Sequence, residues 1–218
     1  MKLGAAGSGT FVYLLAVATT GDALAPARSS VTLHEGWTFR QAGREESYPA
    51  RVPGVVHLDL FQDSLIGDPF YRDYEKGLQW IGKTDWEYRT EFAVDPRTLA
   101  RRNVELVFDG LDTYARAFLN GEEVLAADNM YRRWRVPVAG KLRAKGNELR
   151  VTFRSPINED LAKVTARGYE LPAANDQGEK TSVYVRKAPY SFGWDWGPRF
   201  VTCGIWKPVR LEAWDDAR

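Results

Sequence analysis

DWEYRTEFAV, residues 85–94, alternates Trp86, Tyr88, Thr90, Phe92 and Val94 with Glu87, Arg89 and Glu91. Successive side chains of a strand point to opposite faces, so this period of two predicts a β-strand with one apolar inward face and one wet face. The same period returns on either side. Val104, Leu106 and Phe108 share one side of Asn103 to Phe108, and Leu149, Val151 and Phe153 face away from Arg150, Thr152 and Arg154. Tyr114 to Leu119 is a further strand. It runs into Asn120-Gly121, a dipeptide suited to the positive φ angles of a two-residue hairpin turn, with Glu123 to Ala126 as the return arm. Arg133 to Val138 reads as a strand, and so does Trp206 to Ala213. There Pro208 cannot donate to a ladder, which predicts an edge position or a strand start. Leu33 to Phe39 reads as the opening strand, broken at Gly36, and Thr181 to Val185 as a short one. Ala139 to Lys145 suggests a helical turn and Pro156 to Lys163 a short helix, but no helical pattern of twelve or more residues stands out. Short strands separated by turn signals predict an all-β fold, a jelly-roll β-sandwich.

The bulk properties narrow the function classes. A chain of 218 residues suits one large β domain, and a formal net charge of +1 with mixed signs gives no nucleic-acid surface. Phe11 to Ala18 is a short apolar run after Lys2, and Ala23-Leu24-Ala25 has the small-x-small form of a cleavage site. Residues 1–25 therefore read as a secretory signal peptide, with export to the periplasm or exterior expected and a disordered cytoplasmic N-terminus as the alternative. The run is too short to span a membrane. Residues 26–218 then form the jelly-roll domain. Cys203 is the sole cysteine and reads as a small buried hydrophobe.

Chemistry-bearing patterns are few. His34 and His57 are the only histidines and lie in no ligand-spaced cluster, so neither a zinc site nor a cofactor is expected, although loop carboxylates leave a structural calcium open. No G-x-S-x-G turn supports serine hydrolysis. Asp109, Asp112, Asp128 and Asp195 fall at strand ends or loops, where turn and capping roles are the default. The polar stretch from Gln62 to Lys83 reads as a long crossing loop with aromatic anchors, of a length that implies a task. Eight tryptophans suit either sugar recognition or an aromatic sandwich core. SFGWDWGP, residues 191–198, concentrates the question: Trp194 and Trp196 bracket Asp195 between Gly193 and Gly197. Two readings stand: a core plug, or a carboxylate beside an aromatic platform for a polyol. Aromatic neighbours would raise the pKa of Asp195 unless it pairs with Arg186, Lys187 or Arg199.

Taken together, VPGVVHLDL (52–60), DPFYRDYE (68–75), LQWIGKTDWEYRTEF (78–92), FDGLDTYARAFLNG (108–121), ADNMYRRWR (127–135) and YVRKAPYSFGWDWGPRF (184–200) resemble the N-terminal domain of β-mannosidases of glycoside hydrolase family 2. The resemblance runs from Val31 to Trp214. It implies a galactose-binding-domain-like jelly roll followed by immunoglobulin-like and TIM-barrel domains of the same polypeptide, with the acid/base and nucleophile in the barrel and therefore no catalytic residue in this chain. The whole enzyme would be a retaining exo-β-mannosidase that removes terminal non-reducing β-D-mannose from oligosaccharides. The resemblance also implies that the WDWG loop reaches the mannose subsite. Asp195 would accept hydrogen bonds from sugar hydroxyls, Trp194 would stack on the sugar, and Trp196 would support it, with the core plug as its alternative role. Arg72 and Tyr74 stand where many relatives have Gly and Asn, a difference expected to affect loop packing. The end of the chain after its last strand suggests a segment of something longer. The alternatives are a free-standing carbohydrate-binding module without hydrolase activity and a purely structural docking domain.

Overall fold

The computed structural model describes residues 28–216; the leader reading of residues 1–25 lies outside the described residues. Two antiparallel sheets face each other. The first holds β1 (Arg28–Thr32), β5 (Asn103–Phe108), β8 (Trp134–Pro137) and β10 (Val209–Trp214), in the order β1-β10-β5-β8. The second holds β2 (Thr38–Gln41), β3 (Tyr48–Pro49), β4 (Trp86–Phe92), β6 (Tyr114–Leu119), β7 (Glu122–Ala127) and β9 (Asn147–Arg154), in the order β3-β2-β4-β9-β6-β7. Their inner faces make the core, with Tyr88, Phe39, Phe108, Phe153, Leu106 and Leu149 fully buried. The sandwich expected from the alternating stretches is the fold observed.

The wet face of β4 is less wet than its charges predict. Glu87 is buried, because Arg40 of β2 and Arg150 of β9 close over it at 2.6 and 3.2 Å. Glu212 on β10 is buried under arginines in the same way. It accepts from Arg28 at 2.5 Å and Arg210 at 2.9 Å, and from Arg135. Burial pushes its carboxyl up, but the three guanidinium groups outweigh that and hold its pKa at about 2.

Several local expectations need correction. The opening stretch is two strands, since Leu33 to Trp37 folds back: Trp37 Nε1 donates to Leu33 O at 3.0 Å, and Gly36 takes a φ of 68°. Of the two outcomes expected for Pro208, the strand start holds: it immediately precedes β10, which lies inside its sheet between β1 and β5 and not at an edge. Residues 139–145 form turns, not a helix. The buried Asn147 side chain takes both the Arg143 N–H (2.8 Å) and its carbonyl (2.6 Å), leaving that backbone no helical partners. Residues 181–185 form a turn and not a strand, because Asp176 Oδ2 accepts the Ser182 N–H that a ladder would need.

Helices sit at the rim. The apolar run after Pro53-Gly54 becomes α1 (Val56–Gln62), which buries Asp59 so that its carboxylate accepts from Tyr88 OH at 2.6 Å and Arg51 N at 2.9 Å. A short α2 (Pro96–Leu99) is capped by Asp95. α3 spans Pro156–Arg167, twelve residues, longer than the sequence suggested. Its buried residues are only Pro156, Ile157 and Asp160. Caps define it instead: Ser155 accepts from the Asn158 N–H at its start, and Gly168 adopts φ 75° at its end. Ile157 packs with Val185, Phe192 and Val201 in a small second core.

Candidate functional site

The second core carries the SFGWDWGP stretch. Pro189–Phe192 is one turn of 3-10 helix that inserts Phe192, fully buried, between α3 and Val201. At Gly193 the chain reverses with φ 100°, a conformation that favours glycine. Trp194 and Gly197 then bond to each other in both directions, N–H to carbonyl, at 3.2 and 3.4 Å. Asp195 and Trp196 form the tip of this two-residue reversal.

The core-plug reading fails for both indoles. Trp194 is 38% exposed and Trp196 is 80% exposed, while the plug of this region is Phe192. A two-residue tip has no chain beneath it to receive a side chain. The indoles therefore pack edge to face on one another, with ring centroids 5.3 Å apart at 62°. Asp195 is exposed between them. Two of the three partners envisaged for it are taken elsewhere. Lys187 is bonded to Asp112, and Arg199 is bonded to Glu179 at 2.7 Å.

Next to the turn lies a cleft of about 650 Å³ with Trp194, Trp196, Tyr190, Phe200, Met130 and Trp206 on its walls and Asp112 and Thr202 at its floor. Trp206 Nε1 donates to Met130 O at 3.1 Å, which fixes one wall. Beneath the floor Lys187 and Asp112 form an ion pair whose side chains are 0% and 1% exposed. Thr202 Oγ1 donates to Asp112 Oδ2 at 2.7 Å and accepts from Lys187 at 2.9 Å, and Thr113 Oγ1 donates to Asp112 Oδ1 at 2.5 Å. Both carboxylate oxygens are thus committed. His57 is buried in the same region, with its ring 5.4 Å from Phe200 and Nδ1 without a hydrogen bond. Desolvation and the Lys187 charge lower its pKa to about 4.

The other singled-out aspartates point away from hydrolysis. Asp109 accepts from Arg133 at 2.6 Å and from Arg210, and Asp128 is exposed after β7. Cys203 is buried, and burial pushes its thiol well up, as expected of a small hydrophobe. The chemistry this leaves is recognition: an exposed carboxylate able to accept hydroxyl hydrogen bonds, flanked by exposed rings able to cover C–H faces. Sequence reading placed Trp194, Asp195 and Trp196 together, named Lys187 and Arg199 only as partners for Asp195, and did not single out Tyr190 and Phe200. Their nearness to the WDW triplet was the available signal.

Known proteins match the chain over most of its length. Residues 37–207 match the family described as glycosyl hydrolase 2 galactose-binding domain-like. The chain is 42% identical over 192 residues to β-mannosidase B of Thermothelomyces thermophilus, a match covering 86% of this chain and 22% of that protein. It is 36% identical over 207 residues to the β-mannosidase of Bos taurus, covering 93% and 23%. The crystal structure of a β-D-mannosidase from Dictyoglomus thermophilum superposes with a TM-score of 0.81 at 39% identity, covering 87% of this chain and 23% of that one. The chain thus spans less than a quarter of the length of these relatives.

Proposed function

Since the chain belongs to the glycosyl hydrolase 2 galactose-binding domain-like family, we propose that it serves as the non-catalytic first domain of a retaining exo-β-mannosidase acting on terminal non-reducing β-mannose. Its contribution would be the Trp194–Asp195–Trp196 turn. One observation carries the proposal: two large indoles and a carboxylate stand exposed on a rigid turn, where a folded domain used alone gains nothing from them. Asp195 would accept from sugar hydroxyls and Trp194 would stack on the ring, with Trp196 braced edge-on against Trp194. The general acid/base and nucleophile would come from a barrel domain of the same polypeptide. Asp109 and Asp112 are held in ion pairs and neither serves as a free acid or base.

The test is an aryl β-mannoside assay. The 218-residue chain is expected to show no turnover. In the polypeptide that joins it to its barrel, Asp195→Asn is expected to lower kcat/KM by about 5- to 150-fold, the equivalent of about 1–3 kcal/mol for a lost buried hydrogen bond. Turnover by the 218-residue chain, abolished by Asp195→Asn, would refute the proposal. Calorimetric binding of mannose by the 218-residue chain alone would favour the second reading, a carbohydrate-binding module. Export is proposed on the apolar run Phe11 to Ala18 and the Ala23-Leu24-Ala25 site; recovery of uncleaved protein from the cytoplasm of the native host would count against it.

A further inference from the structure

The Trp194–Gly197 turn is closed by its own two backbone bonds, which fix its shape but not the direction in which it points. Direction is set where the chain leaves the turn, and Arg199 stands there. Its N–H donates to Glu75 Oε2 at 2.9 Å, and its carbonyl accepts from Gln79 Nε2 at 2.9 Å. Its Nη1 donates to Gln79 Oε1 at 2.8 Å and its Nη2 to Glu179 Oε2 at 2.7 Å, with Asp176 Oδ1 3.5 Å away. One residue therefore bonds through both backbone and side chain to two separate segments. A guanidinium holds two acceptors in fixed directions with one planar group, which an ammonium does not do.

Gly178 closes this arrangement from above. A Cβ there would lie 2.6 Å from Arg199 Nη2 and 2.7 Å from Cζ, so a larger residue would require the guanidinium to shift from this position. Gly193, at the other end of the turn, also faces Arg199: a Cβ there would lie 3.4 Å from Arg199 Cβ. The long stretch between α1 and β4, which contains the 3-10 segments Tyr74–Leu78 and Ile81–Lys83, thereby acquires a role, since Glu75 and Gln79 both come from it.

We propose that Arg199 is a positioning residue that aims the Trp194–Asp195–Trp196 turn, using Glu75, Gln79 and Glu179 as its anchors and Gly178 as the gap it needs. The importance of that aim for sugar rests on the proposed function, but the aim itself is measurable without sugar. Nitroxide labels at Trp196→Cys, on the tip of the turn, and at Arg116→Cys, on β6, report the distance from turn to sandwich by pulsed electron resonance, with the buried Cys203 left unlabelled.

Arg199→Lys keeps the charge among Asp176 and Glu179 but loses the fork. It is expected to broaden the distribution of label distances about twofold or more, with the thermal midpoint nearly unchanged. Gln79→Ala removes two of the anchoring bonds without touching a charge and is expected to give a smaller broadening. An unchanged distribution in folded Arg199→Lys overturns the assignment; if that variant does not fold, an unchanged distribution in Gln79→Ala does so. A broadened distribution combined with Asp195→Asn that leaves mannoside kinetics intact would refute the proposed function while leaving Arg199 as the residue that positions the turn.

Discussion

Lys187→Met places the largest calculable strain on the site. The ammonium lies under the cleft floor with its side chain 0% exposed, and its partner Asp112 is 1% exposed. Removing the lysine leaves a buried carboxylate held only by the Thr113 and Thr202 hydroxyls, at 2.5 and 2.7 Å. Breaking one side of such a pair costs about 3–5 kcal/mol, because the remaining charge stays out of water without compensation. A domain of this size loses about 2–4 °C of Tm per kcal/mol, so the midpoint should fall by on the order of 10 °C. Urea unfolding of the 218-residue chain, fitted as two-state, measures the loss directly, and an unchanged slope would confirm that compactness is preserved. Asp112→Asn combined with Lys187→Met removes both charges and should recover more than half of the loss, since a buried pair replaced by neutral groups is often close to neutral overall. A single variant within about 1 kcal/mol of the parent would refute the claim that the pair is buried and uncompensated. A double variant no more stable than the singles would show that shape, and not charge, accounts for the cost.

Three further outcomes are expected. Trp196→Ala should change unfolding free energy by less than about 0.5 kcal/mol, as for other exposed positions, whereas Phe192→Ala should cost about 3–5 kcal/mol; equal effects would restore the plug reading. Stability should fall with acid in two windows. Neutral His57, with a folded pKa of about 4 against 6.5 unfolded, contributes above pH 6.5 and loses that contribution as pH falls from 6.5 to 4. Ionised Glu212, at about 2 against 4.5 unfolded, loses its contribution between pH 4.5 and 2. Urea titrations at stepped pH should show His57→Gln flattening only the upper window, and an unaltered slope there would sink the assignment. Gly204→Ala should cost about 2 kcal/mol or more by chemical denaturation, because its Cβ would meet Gly54 O at 2.7 Å and Val55 Cα at 2.9 Å at a φ of 147°. Parent-like stability would show that those backbones yield.

The sequence alone determined the sandwich and singled out the turn proposed as the site. Trp86, Tyr88 and Thr90 announce a buried strand face because strand periodicity is local, repeating every two residues whatever the partner strand is. Asn120-Gly121 is local for the same reason, and so are Gly193 and Gly197 around the WDW triplet. Exposure and charge pairing were decided only in three dimensions. Glu87 looked wet until arginines from neighbouring strands covered it, and Glu212 is buried under arginines in the same way. Trp196 had the composition of a plug, but the two-residue tip left it in solvent and gave that place to Phe192. Lys187 finds Asp112 across 75 positions, and Arg199 finds Gln79 across 120. Burial and electrostatics depend on which distant groups the fold brings within a few ångströms, and neighbours along the chain do not encode that.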